Sequence, residues 1–185
     1  MTRWLLWILG GVLLGGIVHF VTVLALPRTA TQDAYTRLSS LAPPNTVAVL
    51  PQPTPQAAVL PFMDPAFAAA VCRYDLSSGP LKLSIAVSQA YTAVSFYTLR
   101  GVAFYAINDR AAGRRVIELD LMTEEQRSAL PEDVEVTAAD RLIVESPSET
   151  GLILFRALAT EPSLLPAAQQ TVAAGKCTEL PQQRS

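Results

Sequence analysis

The hydrophobic pattern of this chain changes abruptly at Leu26. An apolar run extends from Trp4 to Leu26 and is interrupted by one histidine, one threonine and glycines. Crossing a bilayer takes a helix of about 20 apolar residues, and this run reaches that length. The pattern predicts one transmembrane helix over residues 4–26, with residues 1–3 as a short head. The rest of the chain is too mixed in polarity to cross again.

A secretory signal peptide is the competing interpretation, because Val23-Leu24-Ala25 resembles a small-residue cleavage site. The hydrophobic core of a signal peptide spans about 7–15 residues, whereas this run is longer, so we interpret it as a retained anchor. Positive charge lies on both sides of the run, with Arg3 before it and Arg28 and Arg37 after it, so the charge rule decides little. The short basic head, the spacer and two isolated cysteines favour a cytoplasmic amino terminus and an exported domain.

The residues after the anchor predict a linker and then one folded domain. Residues 29–41 carry apolar residues at helical spacing, and residues 42–61 contain six prolines, which exclude a helix or a central strand. We interpret residues 27–61 as a helical stub with a proline-rich, semi-rigid spacer. The folded domain is expected over residues 62–180, followed by a disordered tail at residues 181–185.

Hydrophobic period and turn signals predict the elements of this domain. Asp64 followed by Pro65 is typical of a helix start, so a short helix is expected through Cys72. Thr123 with Gln126 three residues later forms a capping-box signature. We predict helices over residues 64–72, 123–130 and 163–174, and strands over residues 81–87, 91–99, 102–107, 114–121, 141–145 and 151–158. This order describes an α+β domain on a mainly antiparallel sheet.

Three segments carry a resemblance to a known family. They are residues 75–84 (DLSSGPLKLS), residues 91–97 (YTAVSFY) and residues 104–110 (FYAINDR). With its D-L-S-x-G-P motif, the chain resembles a bacterial family of domains of unknown function, in the branch described as predicted integral membrane proteins. The similarity extends over about residues 64–156. It implies a β-sandwich-like core and an inner-membrane protein with a periplasmic domain, and it implies no particular activity.

Charge and histidine content exclude several classes of function. The net charge is −2 and no basic run occurs, so nucleic-acid binding is not expected. His19, the only histidine, lies in the apolar run, which excludes histidine-based catalysis and His-containing zinc motifs from the aqueous domain. Neither a nucleophile elbow nor a P-loop nor a dinucleotide fingerprint is present. We expect no cofactor, no metal and no catalytic residues.

Carboxylates leave one enzymatic alternative open. A glycosidase-type envelope hydrolase needs only two acids at a suitable separation. Lys82 beside Ser84 suggests a Ser/Lys dyad, although strand alternation places both on one exposed face. The candidate acids are Asp75, Asp109, Glu118, Asp120, Glu135, Asp140, Glu145 and Glu149.

Two polar or small-residue clusters are candidates for binding. The turn after the third predicted strand concentrates hydrogen-bonding and cationic groups that suit an anionic group or a protein partner. Its candidate binding residues are Asn108, Asp109, Arg110, Arg114 and Arg115. Within the predicted anchor, Gly11, Gly15 and His19 recur at four-residue steps and form a candidate helix-packing face.

The two cysteines, Cys72 and Cys177, flank the predicted sheet domain. An oxidising compartment permits a disulfide between them, and two separate buried thiols are the alternative. We interpret the protein as a single-pass, inner-membrane-anchored accessory or interaction module that is not an enzyme. Its expected partners are the membrane and another membrane or envelope protein, including a second copy through the transmembrane helix. A cleaved, soluble periplasmic binding protein is the third interpretation.

Overall fold

The computed structural model describes residues 2–29, 34–111, 115–130 and 142–180. It divides into two compact units, Met1–Asp33 and Ala34–Ser185.

The described residues of unit one form a helix, α1 (Thr2–Thr29). Its segment Thr2–Leu26 has a mean hydropathy of 2.2, which is long and apolar enough for a membrane span, and a signal sequence would have the same properties. Thr22 Oγ1 donates to the carbonyl of Val18 at 2.8 Å, so the hydroxyl is satisfied within the helix. Apart from the neighbouring residues and backbone of α1 itself, no described atom lies within 4 Å of a Cβ built at Gly11 or Gly15.

The described residues of the second unit form nine strands and three short α-helices. In chain order these are α2 (Ala34–Leu38), β1 (Val47–Val49), β2 (Phe67–Asp75), β3 (Leu81–Ala86), β4 (Thr92–Thr98), β5 (Ala103–Asn108), β6 (Val116–Met122), α3 (Glu124–Ser128), β7 (Leu142–Glu145), β8 (Thr150–Leu158), a 3-10 turn (Pro162–Leu164), α4 (Leu165–Ala173) and β9 (Lys176–Glu179).

The strands form two sheets. One has five strands in the order β1-β2-β8-β4-β5, and the other has four in the order β7-β6-β3-β9. All pairs are antiparallel except β6 with β7, which is parallel. The predicted α+β class with a mainly antiparallel sheet domain and short flanking helices is confirmed.

Alternate strand positions build one core between the two sheets. In β3, Leu81, Leu83 and Ile85 are buried while Lys82 and Ala86 are exposed, as strand alternation predicts. The five-stranded sheet contributes large side chains such as Tyr74, Phe96 and Phe155, and α4 adds Ala168 and Val172 to the same core.

A disulfide joins the two sheets across this core. Cys72 lies on β2 and Cys177 on β9, their Cα atoms are 6.5 Å apart, and 105 positions separate them in the chain. This is the pairing that the sequence predicts. The bridge ties β9 to β2, an inner strand of the opposite sheet.

Near the end of β2, two serine hydroxyl groups lie beside the phenolic oxygen of Tyr74. The phenolic oxygen lies 3.0 Å from Ser146 Oγ and 3.3 Å from Ser148 Oγ, and its burial raises the pKa of Tyr74 above the ordinary value of 10.0. Gly151 leaves the space that the ring occupies, because a Cβ there would meet the Tyr74 hydroxyl and the Tyr97 carbonyl. This position therefore needs a glycine.

The helix predicted over residues 64–72 is wrong, because this stretch becomes β2. Asp64 does cap a turn, since its Oδ1 accepts from the Ala66 N–H at 2.9 Å, but the chain then extends. Phe67–Asp75 pairs along its whole length with β8. Alanine-rich sequence favours a helix locally, and the ladder with burial on both faces overrides that preference.

The other predicted strands are present within one or two residues of their predicted ends, as are the helix over residues 123–130 and the closing helix. The capping box is present, with Thr123 N–H donating to Gln126 Oε1 at 3.0 Å and Gln126 N–H donating to Thr123 Oγ1 at 3.3 Å. The short strands β1 and β9 were not predicted. Arg114, Arg141 and the tail at residues 181–185 lie outside the described residues.

The segment predicted as a proline-rich, semi-rigid spacer packs against the folded domain. Its prolines do exclude a helix and a central strand, yet Val47–Val49 pairs with β2 at the edge of the five-stranded sheet. Leu38, Ala42 and Leu50 are buried against the outer face of that sheet. Hydrophobic residues between the prolines explain the difference, because they give the extended chain a surface to pack with.

The disulfide generates a stability prediction. Replacing Cys72 and Cys177 by alanine together should lower the free energy of unfolding by about 2–5 kcal/mol, because the bridge closes a loop of about 100 residues in the unfolded chain. Urea unfolding of the full chain in detergent measures the loss. Reducing agent should produce a similar loss in the wild type and none in the double variant. Two alkylatable thiols in unfolded, unreduced wild-type protein would show that the bridge is not formed.

Candidate functional site

The outer face of the five-stranded sheet carries the residues of interest in three cross-strand rows. The register of β2, β8, β4 and β5 determines the rows, because alternate residues face outward. In strand order they are Ala69, Arg156, Ala93 and Asn108; then Val71, Leu154, Ser95 and Ala106; then Arg73, Leu152, Tyr97 and Ala103.

Half of this face is covered by the residues that precede β2. Leu38, Ala42 and Leu50 pack there against Val71 and Leu152, and Tyr35 and Met63 border the same cluster. The covered half is therefore part of the domain's structure and offers little surface to a partner.

Arg73 holds the start of this covering segment in place. Its Nη1 donates to the carbonyl of Ala42 at 3.1 Å and to that of Ser39 at 3.5 Å, and its Cζ lies 4.3 Å from the centre of the Tyr35 ring. Hydrogen bonds from a charged donor and a cation–π contact both favour this arrangement. The outward position of Arg73 on β2 thus links α2 to the sheet.

Arg156 lies on the open half of the same face and has far fewer contacts. Its Nη2 is 3.5 Å from Ser95 Oγ, and its Cζ is 5.8 Å from the centre of the Phe67 ring. Its Nε is buried and has no hydrogen-bond partner in the described part of the chain. Small residues flank it in its row, namely Ala69 and Ala93. The Nε of Arg73 is likewise buried without a hydrogen-bond partner among the described residues, so the two arginines share this feature.

The predicted binding loop begins in the row of Arg156. Asn108 Oδ1 accepts from the backbone N–H groups of Arg110 at 3.1 Å and Ala111 at 3.2 Å, which forms an Asx-type turn. The carbonyl of Arg115 accepts from Val87 N–H at 2.8 Å, so the end of the loop is tied to the end of β3. Arg110 and Arg115 are exposed, and Arg114 lies outside the described residues.

Asp109 is half-buried, and its backbone and one carboxylate oxygen are enclosed by the domain. Its backbone N–H donates to the carbonyl of Thr92 at 2.9 Å, which joins the loop to the start of β4. Its Oδ1 is buried without a hydrogen-bond partner among the described residues. This oxygen is therefore out of reach of a ligand at the surface.

The structure brings Asn108 and Arg156 together, since only Ala93 separates them across two strand spacings, or roughly 10 Å. Sequence reasoning did not select Arg156. Its signal was present, because it is the one charged residue in the otherwise apolar strand of residues 151–158. A charged side chain in such a strand indicates that its position faces away from the core.

The candidate acids are mostly dispersed. Asp75 Oδ1 accepts from Ser77 N–H at 3.0 Å, and hydrogen bonds from Ser77 lower the pKa of Asp75. Glu145 pairs with Arg127 at 2.9 Å, and Glu149 is exposed. The positions of Glu135 and Asp140 lie outside the described residues. Across the described ranges, no three metal-ligating side chains group together.

One pair of acids shares a face. Glu118 and Asp120 are two residues apart on β6, on the outward side of the four-stranded sheet. By register they oppose Ser84 and Lys82 on β3, and Ser84 Oγ donates to Glu118 at 3.5 Å. Asp120 is only 2% exposed, whereas Glu118 is exposed. The predicted Ser/Lys face therefore lies beside two carboxylates.

Comparison with known proteins gives a family model and two solved structures. The model of the family described as Protein of unknown function (DUF1254) matches residues 44–179. The VPA0106 protein from Vibrio parahaemolyticus is 14% identical with a TM-score of 0.54, and the match covers 82% of this chain and 38% of that one. An uncharacterised protein from Burkholderia cenocepacia is 11% identical with a TM-score of 0.47, over 70% and 36% of the two chains. No curated protein matches.

These similarities concern the family and the fold of the chain. The chain spans about 38% of the length of the Vibrio protein, and at 14% identity the likeness shows the fold alone. The family match agrees with the resemblance of the sequence to a bacterial family of unknown function. The membrane-protein branch and the D-L-S-x-G-P motif stay predictions.

The contacts of Arg73 generate a test of the covering segment. Arg73→Gln should weaken the attachment of α2 by about 1–3 kcal/mol, because hydrogen bonds from a charged donor and a cation–π contact are lost. Hydrogen exchange at the Ala42 amide should then become at least tenfold faster, since that amide bonds to the Leu38 carbonyl at the end of α2. Arg127→Gln, which removes an exposed ion pair elsewhere, is the matched control. Equal exchange in wild type and Arg73→Gln would show that the covering segment is held by its apolar residues alone.

Proposed function

The chain belongs to the DUF1254 family of proteins of unknown function, and we propose that it is a membrane-anchored, exported accessory domain that acts by binding rather than by catalysis. The proposal has three parts, which concern its location, its contact surface and its partner. The partner is another membrane or envelope protein, and neither nucleic acid nor a cofactor is involved.

Two features support an exported domain in the bacterial inner membrane. The disulfide between Cys72 and Cys177 favours an oxidising compartment such as the periplasm. The apolar segment Thr2–Leu26 is longer than the hydrophobic core of an ordinary signal peptide, which favours a retained anchor with its amino terminus in the cytoplasm. The rival is a cleaved, soluble binding protein.

The contact surface is the loop of residues 108–115 together with the open half of the adjoining sheet face. The observation that supports it is a set of cations, Arg110, Arg115 and Arg156, for which the described residues provide no carboxylate within 4 Å. The one salt bridge among described residues, between Arg127 and Glu145, lies elsewhere. Arginine is a residue type that often dominates protein interfaces.

Self-association through α1 is a further part of the proposal. Gly11, Gly15 and His19 lie on one face of α1. Because the two glycines have no side chain, a second helix can approach this face closely. A polar histidine in an apolar span favours a hydrogen bond across such a contact.

The enzymatic alternative is an envelope hydrolase that uses paired acids. It is favoured by one observation, the shared outward face of Glu118 and Asp120 on β6 beside Lys82 and Ser84. The near-complete burial of Asp120 weighs against it, because a catalytic carboxylate must reach its substrate. Loss of function in a stably folded Glu118→Gln variant would favour this alternative.

The location has a direct test. Protease added to spheroplasts should degrade the domain of the full chain, because residues beyond Leu26 face the periplasm, while a cytoplasmic marker protein stays intact. The membrane fraction should contain the chain at its full length. Protection of the domain, or a soluble form that begins near Leu26, would contradict the anchored, exported arrangement.

The contact surface has its own test. A photo-crosslinking amino acid at position 110 of the full chain should form a discrete adduct with an envelope protein in intact cells. Arg110→Ala combined with Arg115→Ala should reduce capture of that protein at least tenfold, because both cations are lost from the interface. The melting temperature should not change, since both side chains are exposed.

Arg100 provides the matched control, because it is an exposed arginine in the hairpin turn between β4 and β5, away from this loop. A crosslinker at position 100 should give no such adduct, and Arg100→Ala should leave capture unchanged. Equal adducts at positions 100 and 110, or full capture by the double variant, would contradict the proposed surface.

A further inference from the structure

We propose that Phe62 inserts its side chain into the lipid bilayer and so gives the aqueous domain a second contact with the membrane. This inference rests on the proposed function, because it requires the retained anchor. It deepens that function by naming a surface of the domain that faces lipid. It concerns the loop before β2 rather than the loop of residues 108–115.

The exposure of Phe62 is the first observation. Its side chain is 103% exposed, whereas Val102, the next most exposed large apolar residue in the described part of the second unit, is 61% exposed. Single apolar residues are common at protein surfaces, but a phenyl ring without any cover keeps its whole apolar area in water. An apolar environment outside the domain would therefore stabilise this side chain.

The backbone of Phe62 is the second observation. Its φ is 59°, in the left-handed region that bulky residues rarely adopt. Asn45 has a similar φ of 55°, and two hydrogen bonds of its side chain stabilise that conformation: Oδ1 accepts from the Asp75 N–H at 2.8 Å, and Nδ2 donates to the Asp75 carbonyl at 3.0 Å. The apolar ring of Phe62 can form no such bonds. Its unfavourable conformation therefore points to a role of the side chain outside the domain.

The residues on either side of Phe62 hold the ring outward. Leu60 and Met63 are half-buried and pack against the apolar cluster on the outer face of the five-stranded sheet. Directly after them, Asp64 Oδ1 accepts from the Ala66 N–H at 2.9 Å. The loop is thus fixed on both sides of the ring, so little loss of loop entropy opposes its insertion.

The length of chain after α1 limits how far this loop can lie from the bilayer. α1 ends at Thr29 and the second unit begins at Ala34, so five Cα–Cα steps of about 3.8 Å keep these two residues within about 19 Å of each other. Ala34 packs against the same apolar cluster as Leu60 and Met63. The point where the chain enters the domain and the loop of Phe62 therefore belong to one face.

A tethered domain needs only a weak contact of this kind. One phenyl ring buries too little apolar area to hold a soluble protein on a membrane. With α1 in the same bilayer, insertion becomes an intramolecular step with a high effective concentration. Apolar and aromatic side chains of membrane-surface segments insert at the boundary between headgroups and acyl chains, which is the depth that a ring on a surface loop reaches.

The test uses the full chain in nanodiscs of phosphatidylethanolamine and phosphatidylglycerol, with carbon-13 in its phenylalanine rings and methionine methyl groups. A lipid with a nitroxide on its acyl chain broadens groups that contact the bilayer, and a water-soluble gadolinium chelate broadens groups exposed to solvent. The Phe62 ring signals, assigned by their loss in Phe62→Ser, should lose at least fivefold more intensity with the lipid nitroxide than with the chelate. Phe20 in α1 should do the same, whereas the buried Phe96 should respond to neither.

A matched pair of variants separates insertion from proximity to the membrane. Met63 lies beside Phe62, so the lipid nitroxide should broaden its methyl signal in the wild type and at least threefold less in Phe62→Ser. Leu164→Ser, which removes a side chain that is 46% exposed before α4, should leave the Met63 signal as in the wild type. The melting temperature should not fall in either variant, because both side chains are exposed.

Two results would overturn the proposal. A stronger response of the Phe62 ring to the chelate than to the lipid nitroxide would place the ring in water. A ring that neither reagent reaches would be covered by protein, such as a second copy of the chain, rather than by lipid.

The outcomes also separate this inference from the proposed function. If protease degrades the domain in spheroplasts while the Phe62 ring stays in water, the exported, anchored arrangement stands and the lipid contact falls. If the ring contacts lipid in nanodiscs while cells contain a soluble form that begins near Leu26, the lipid contact stands for the full chain and the anchored arrangement falls.

Discussion

The antiparallel ladder between β2 and β8 determines which side chains of these two strands enter the core and which face outward. It pairs Phe67–Asp75 with Thr150–Leu158 over nine residues, so a slip of one residue would exchange the inner and outer faces of both strands. In this register Cys72 faces the opposite sheet and reaches Cys177. Arg73 and Arg156 face outward.

Burial on both faces gives β2 its composition. Its inner face belongs to the core between the sheets, and its outer face is covered by the segment that precedes it. The sequence of a strand that is buried on both faces is a continuous apolar run without alternation. The small residues Ala68, Ala69 and Ala70 allow close approach from each side, and the same alanines made the stretch look helical.

The outer face of the five-stranded sheet is divided between structure and surface. On one half, Arg73 and apolar residues such as Leu38 and Leu50 tie the preceding segment to the sheet. Arg156, on the central strand β8, makes one long hydrogen bond to Ser95 and lies in the row that ends at Asn108, where the loop of residues 108–115 begins. The cluster under the covering segment extends as far as Ala69, which lies beside Arg156 in the sheet.

Much of the architecture was determined by the sequence itself. The length of the apolar run predicts α1, alternation predicts β3, and the Thr123 and Gln126 pair predicts the start of α3, because each signal depends only on neighbouring residues. With two cysteines, one pairing within the chain was possible, and two separate thiols were the alternative. Tertiary structure alone decided the rest: whether the proline-rich segment packs, that residues 67–75 extend, and that Arg156 lies in the row of Asn108. Each of these depends on contacts between residues far apart in the chain, and local preferences do not encode such contacts.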